Sequence, residues 1–127
     1  GELIKLAGDT VNGMYLYSCF DPNSDSAVVQ QFVKEYSDAN GMQPDFVAAN
    51  AYDSVYMLKN AIEKAGSYDR EAIKDALYEV SFDGTQGNIH FKENGDVEKV
   101  AVAFKIENGE FVGLPDAFKL WDDFIAQ

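Results

Sequence analysis

Few residues of this chain have the types and spacing that chemistry needs. Two carboxylate pairs, Glu35 with Asp38 and Asp122 with Asp123, are close enough in sequence to work as acid and base. Both fall on predicted solvent faces, where nothing drives their proton affinities apart. His90, the one histidine, lies in "NIHF" with no identifiable nucleophile or orienting carboxylate, and reads as a strand-surface side chain. Cys19 is the one cysteine, so it can close no intramolecular disulfide and belongs to no zinc set. Within "MYLYSCF" it reads as a small buried apolar residue. Gly84 and Gly87 in "DGTQGN" precede a strand, where they make a tight bend and do not open a helix onto a phosphate. "KENGDVEK" lacks the ligand spacing of a calcium loop and reads as a hairpin turn. No catalytic residue, metal ligand or cofactor is expected, and the chain is not expected to be an enzyme.

Binding leaves a better trace than catalysis. The stretch "PDFVAANAYDSVYMLKNAIEKAG" has apolar residues at helical spacing, but its first turn carries Asp45, Phe46 and Asn50. Those three belong either to a buried helix or to the lip of a ligand site.

Charge narrows the partners. Among 127 residues, 22 acidic against 10 basic side chains give a net charge of −12. Phosphate backbones are recognised by Lys and Arg displacing counterions, so nucleic acid is excluded as a partner, and anionic membrane surfaces are disfavoured. An apolar content of 46% is enough for a core. No run approaches the roughly 18 apolar residues that span a bilayer.

Helices and strands must position the candidates. "ELIKLAG" predicts the end of a helix closed by Gly8, and Met14 to Phe20 a buried strand. Because the chain opens on what reads as the last turns of a helix, it is expected to be a fragment. Ser24 or Asp25 is expected to cap a helix that buries Val28, Val29, Phe32, Val33 and Tyr36 and ends near Asn40-Gly41. The next helix is expected to turn Ala48, Ala51, Tyr52, Val55, Leu58, Ile62 and Ala65 inward and stop at Gly66. Ala48, Ala49 and Ala51 would let it lie close to a parallel sheet. Ser67 or Asp69 caps a third helix with Ile73, Ala76, Leu77 and Val80 inward. From Phe82 the period falls to two: Asn88 to Phe91, Lys99 to Ile106 and Glu110 to Leu114 predict an antiparallel meander turning at Asn94-Gly95 and Asn108-Gly109. The tail, "LPDAFKLWDDFIAQ", predicts a short amphipathic helix.

In that order, "GDTVNGMYL", "AYDSVYMLKNAIEKAGS", the run from Phe82 to Asp96 and "FKIENGEFV" closely resemble the C-terminal third of branched-chain amino-acid-binding proteins, the type I periplasmic substrate-binding proteins of ABC importers. The resemblance covers nearly residues 2 to 112. It implies an α/β fold, the C-terminal fragment of a two-lobe protein with helices packed on a sheet and a terminal strand meander. Residues 1–23 would end the second lobe and form a hinge crossing, 24–114 would complete the first lobe, and 115–127 would be an amphipathic helix or the last crossing.

The same resemblance implies a solute-binding component of an importer for branched-chain or related amino acids, or alternatively an amino-acid-sensing domain of a receptor or regulator. A membrane permease would be its partner, and its location periplasmic or extracellular, with a lipid anchor among the arrangements such proteins use. Family members hold the ligand's ammonium and carboxylate mainly through segments upstream of the part matched here, so this chain alone is expected to bind leucine negligibly. The matching positions at the turn before the "AYDS" helix are Asp45, Phe46 and Asn50, with Phe46 the apolar contact. A piece lacking most of its fold leaves apolar helix faces uncovered, so self-association or strand exchange is expected.

Overall fold

The computed structural model describes residues 2–114. They divide into two compact units, one of residues 20–100 and one of the residues up to 19 with those from 101 onward. The tail helix expected after Leu114 lies outside the described residues.

In the unit of residues 20–100, helix α2 spans Ala27–Asn40, α3 Phe46–Ala65 and α4 Arg70–Leu77, with α1 assigned to Glu2–Ala7 in the other unit. Ser26, one or two positions later than expected, occupies the N-cap of α2 without a side-chain cap bond. Ser24 is held in the preceding turn instead, its hydroxyl accepting from the Ser26 N–H at 3.3 Å. Gly41 and Gly66 end α2 and α3 in the left-handed conformation, where a side chain would be strained. Asp69 caps α4 by accepting from the Ala72 N–H at 3.1 Å.

Val29 and Phe32 of α2 are buried with Phe20 and Ala49 in one cluster, and Tyr52 packs against it. The close approach that the small residues of α3 permit is therefore toward these rings, not toward a parallel sheet. Every described strand pairing is antiparallel. The buried stripe of α3 is Ala49, Asp53, Met57 and Ala61, while Val55 and Leu58 are exposed. The helix is thus rotated from the face that counting apolar residues selects, because a buried aspartate sits in the middle of the true stripe.

Strands β2 (Ser81–Gly84), β3 (Gly87–Phe91) and β4 (Val97–Glu98) form one three-stranded sheet in that order. Thr85 and Gln86 make the bend between paired Gly84 and Gly87. Asn94-Gly95 closes a short hairpin in which the Lys92 N–H donates to the Asp96 carbonyl at 2.8 Å.

The other unit holds α1, β1 (Tyr15–Ser18), β5 (Val102–Glu107) and β6 (Glu110–Leu114), in sheet order β1-β5-β6. Asn108 and Gly109, both at positive φ, form the two-residue hairpin turn. The expected continuous strand from Lys99 to Ile106 is interrupted at residues 99–101, and the expected meander is divided between two sheets. Ala103 and Phe104 are both buried, so β5 is covered on both faces. Ile106 is fully buried, which stabilises the unit by about 1.5–3 kcal/mol.

Candidate functional site

Asp45 precedes α3, and its side chain accepts from the N–H groups of Val47 and Ala48, each at 3.0 Å. It satisfies two orphan donors of the first turn and places negative charge at the positive end of the helix. Phe46 follows with 56% of its surface exposed, a large ring left in solvent at the first helical position. Asn50 lies four residues later, one turn along the same side of the helix. The helix places Phe46 beside Asn50 in this way, but Asp45 has a structural duty of its own.

Asn50 is held from two sides. Its Oδ1 accepts from Lys99 Nζ at 2.6 Å and from Gln86 Nε2 at 3.0 Å. Lysine has only donors, so the atom facing it must be the amide oxygen, and Asn50 Nδ2 is turned away from both. Gln86 Nε2 also donates to Asp53 Oδ2 at 3.1 Å. Asp53 Oδ1 accepts from the Thr85 N–H at 2.9 Å, and Oδ2 from the Thr85 hydroxyl at 2.8 Å. Asp53, Thr85 and Gln86 are each at most 3% exposed. A buried carboxylate is tolerated here because three donors replace the water it gives up.

This network closes the polar end of a groove of about 360 Å³ within the same unit. Asn50, Gln86 and Lys99 form that end, and Met57, Leu77 and Phe91 are among its apolar walls. Gln86 Oε1 is buried without a hydrogen-bond partner among the described residues.

On the neighbouring face, Tyr52 lies between the rings of Phe32 and Tyr56, 4.7 Å from each centroid. Its phenol is pushed up to about 12, first by hydrogen bonding with Tyr56 and then by burial and nearby Glu35 and Asp53. Tyr52 is a packing residue. Cys19 is a half-buried free thiol, and His90 pairs across β3 and β4 with Glu98, 3.6 Å from its carboxylate. Among the described residues, no cluster of His, Cys, Asp or Glu could hold a metal ion.

Counting apolar positions missed Asp53, Thr85, Gln86 and Lys99. One signal was present: Asn50 and Asp53 are polar residues three apart in an otherwise apolar helix, and such a pair shares one face.

Three short helices with an antiparallel sheet, and a polar pocket at the start of the longest helix, are one part of a larger architecture known from other proteins. Residues 1–110 match the model of the periplasmic binding protein family, and the chain belongs to that family. It is 33% identical over 100 residues to the leucine-, isoleucine-, valine-, threonine- and alanine-binding protein of Pseudomonas aeruginosa, over 76% of this chain and 26% of that one. The leucine binding protein LivK of Thermotoga maritima shares 34% identity and superposes with a TM-score of 0.78 over 91% of this chain and 35% of its own. An ABC transporter substrate-binding protein of Desulfitobacterium hafniense, solved in complex with Leu, is 27% identical with a TM-score of 0.73, over 83% and 32%. The chain therefore spans about a quarter to a third of the length of these relatives.

Proposed function

We propose that this chain is the C-terminal portion of a solute-binding component of an ABC importer for branched-chain or related amino acids. Phe46 and Asn50 would contribute one side of the ligand cleft, with Asp45 holding the turn that presents them. The observation that carries the reading is the Phe46 ring: it is more than half exposed at the head of α3, beside Asn50 one turn along the same side. An apolar ring at a cleft edge would cover an aliphatic side chain. Most polar ligand contacts would come from the remainder of a two-lobe protein, as the relatives' greater length, of which the match covers 26% and 35%, suggests. The partners would be an amino acid and a membrane permease, and the location periplasmic or extracellular, with a lipid anchor compatible with either.

Calorimetry on the two-lobe protein that carries this chain tests the assignment. Phe46→Ala is expected to weaken leucine binding roughly tenfold, the cost of one lost apolar contact. Unchanged affinity would remove Phe46 from the site. The 127-residue chain alone is expected to bind leucine negligibly, and micromolar binding by it would overturn the assignment of the polar contacts to other segments.

A further inference from the structure

We propose that the Asn108-Gly109 turn is a site of spontaneous covalent modification, at which the asparagine converts to aspartate and isoaspartate, and that Asn12 restrains the reaction. The inference is independent of the ligand cleft at Phe46.

Asparagine followed by glycine occurs four times, at Asn12, Asn40, Asn94 and Asn108. In such a pair the glycine nitrogen can reach the asparagine side chain, because no Cβ crowds the approach. The nitrogen gives its proton to hydroxide and bonds to Cγ. The bond from Cγ to Nδ2 then breaks and ammonia leaves, which closes a five-membered succinimide. Water opens that ring at either carbonyl, to aspartate or to isoaspartate. One water is consumed and one ammonia released, and no oxidant, metal or enzyme is needed.

The attack needs a glycine N–H that is not held elsewhere and an asparagine side chain that can turn onto it. Three of the pairs lack both. The N–H groups of Gly13, Gly41 and Gly95 donate to the carbonyls of Ile106, Ser37 and Lys92 at 2.7, 2.8 and 2.9 Å. These are backbone bonds, which open only when the surrounding structure opens. Their asparagines are tied as well. Asn40 Nδ2 donates to the Tyr36 carbonyl at 2.9 Å, Asn94 bonds Asp96 through both atoms of its amide, and Asn12 Oδ1 accepts from the Gly109 N–H.

Asn108 differs on both counts. It is exposed, and its side chain has no hydrogen bond among the described residues. The Gly109 N–H donates to a side chain, the Oδ1 of exposed Asn12, at 3.1 Å. One rotation of Asn12 releases it, with no backbone movement. The product matters to the fold. A two-residue turn fits here because Asn108 and Gly109 both accept positive φ, at 52° and 78°. Isoaspartate adds a methylene to its main chain and a charge between Glu107 and Glu110, so modification loosens the β5–β6 pairing.

The test keeps the folded 127-residue chain in mildly alkaline buffer and follows aspartate and isoaspartate at all four positions by mass-spectrometric peptide mapping. Asn108 is expected to convert about fivefold faster than Asn12, Asn40 or Asn94, or more, the factor that one ordinary hydrogen bond supplies. Asn12→Ala should speed conversion at Asn108 by about the same factor and leave Asn40 and Asn94 at their original rates. Asn12→Asp keeps the acceptor and should leave Asn108 slow. Conversion at Asn108 no faster than at Asn40 or Asn94 would overturn the proposal, as would an unchanged Asn108 rate in Asn12→Ala. Equal acceleration of all three remaining sites in that variant would assign the effect to a loosened fold and overturn the role of Asn12.

Discussion

Asp53 on α3 accepts hydrogen bonds from both the backbone N–H and the hydroxyl of Thr85, at 2.9 and 2.8 Å, across 32 positions of sequence. One carboxylate therefore ties the longest helix to the bend between β2 and β3. Asp53→Ala would leave buried donors on Thr85 and Gln86 unpaired. It is expected to destabilise the chain by about 3 kcal/mol, measured by urea unfolding, because bonds to a charged acceptor are worth about 1.5–3 kcal/mol each and do not add fully. Glu93→Ala, at an exposed position, should stay within about 0.5 kcal/mol. Equal effects of the two would show that the Asp53 bonds contribute nothing net.

Gly84 is the counterpart of that bond. A Cβ built there would lie 2.6 Å from Asp53 Oδ1 and 2.7 Å from the Phe82 ring. Gly84→Ala is expected to cost roughly 2 kcal/mol or more by overpacking, with a fall in melting temperature. Gly95→Ala is the control: it sits at φ 87° with only the Tyr78 hydroxyl near, at 3.8 Å, so its cost is backbone strain alone, about 1–2 kcal/mol. If adding a methyl at Gly84 leaves stability untouched, the helix and the bend are not held as closely as described.

Asp45 separates capping from ligand contact. Removing the cap with Asp45→Ala should cost about 1 kcal/mol of stability, and Asp45→Asn much less, since an amide oxygen caps nearly as well. If Asp45 only caps, Asp45→Asn should leave ligand affinity of the two-lobe protein unchanged in calorimetry. A large loss on that substitution would make the carboxylate a direct ligand contact.

The exposed apolar residues Val47, Val55 and Leu58 of α3 predict self-association of this chain. Its charge of −12 opposes that association, so sedimentation should show dimer formation that strengthens with added salt. Val55→Glu should weaken it. A monomer at high protein concentration and high salt would refute the prediction.

The local elements were legible because their causes are local. Gly41 and Gly66 stop two helices, Asp69 caps a third, and Asn108-Gly109 turns a hairpin, each through backbone preferences that need no distant partner. The family resemblance was legible for a related reason, since the order of such signals along the chain is itself distinctive.

Strand partnership was less legible. The alternation in "KVAVAFKI" predicts one strand from Lys99, but residues 99–101 lie in no strand, and the predicted meander is divided because Val97 and Glu98 pair with β3 while Val102 to Glu107 pair with β1 and β6, a choice made by elements far away in sequence.

The sequence by itself determined that Gly41 and Gly66 end two helices, that Asp69 caps a third, that Asn108-Gly109 turns a hairpin, and which residues lie at the head of α3. The start of α2 fell one or two residues later than expected, and α4 stopped at Leu77, short of Val80. Tertiary structure alone decided which side of α3 is buried, because a polar residue goes inside only when its partners arrive with it. Asp53 has no place in a stripe of apolar residues until Thr85 and Gln86 surround it, and Asn50 has no fixed orientation until Lys99 and Gln86 claim its oxygen. Burial of a charge is a property of the assembled set of donors, and no window of sequence contains that set.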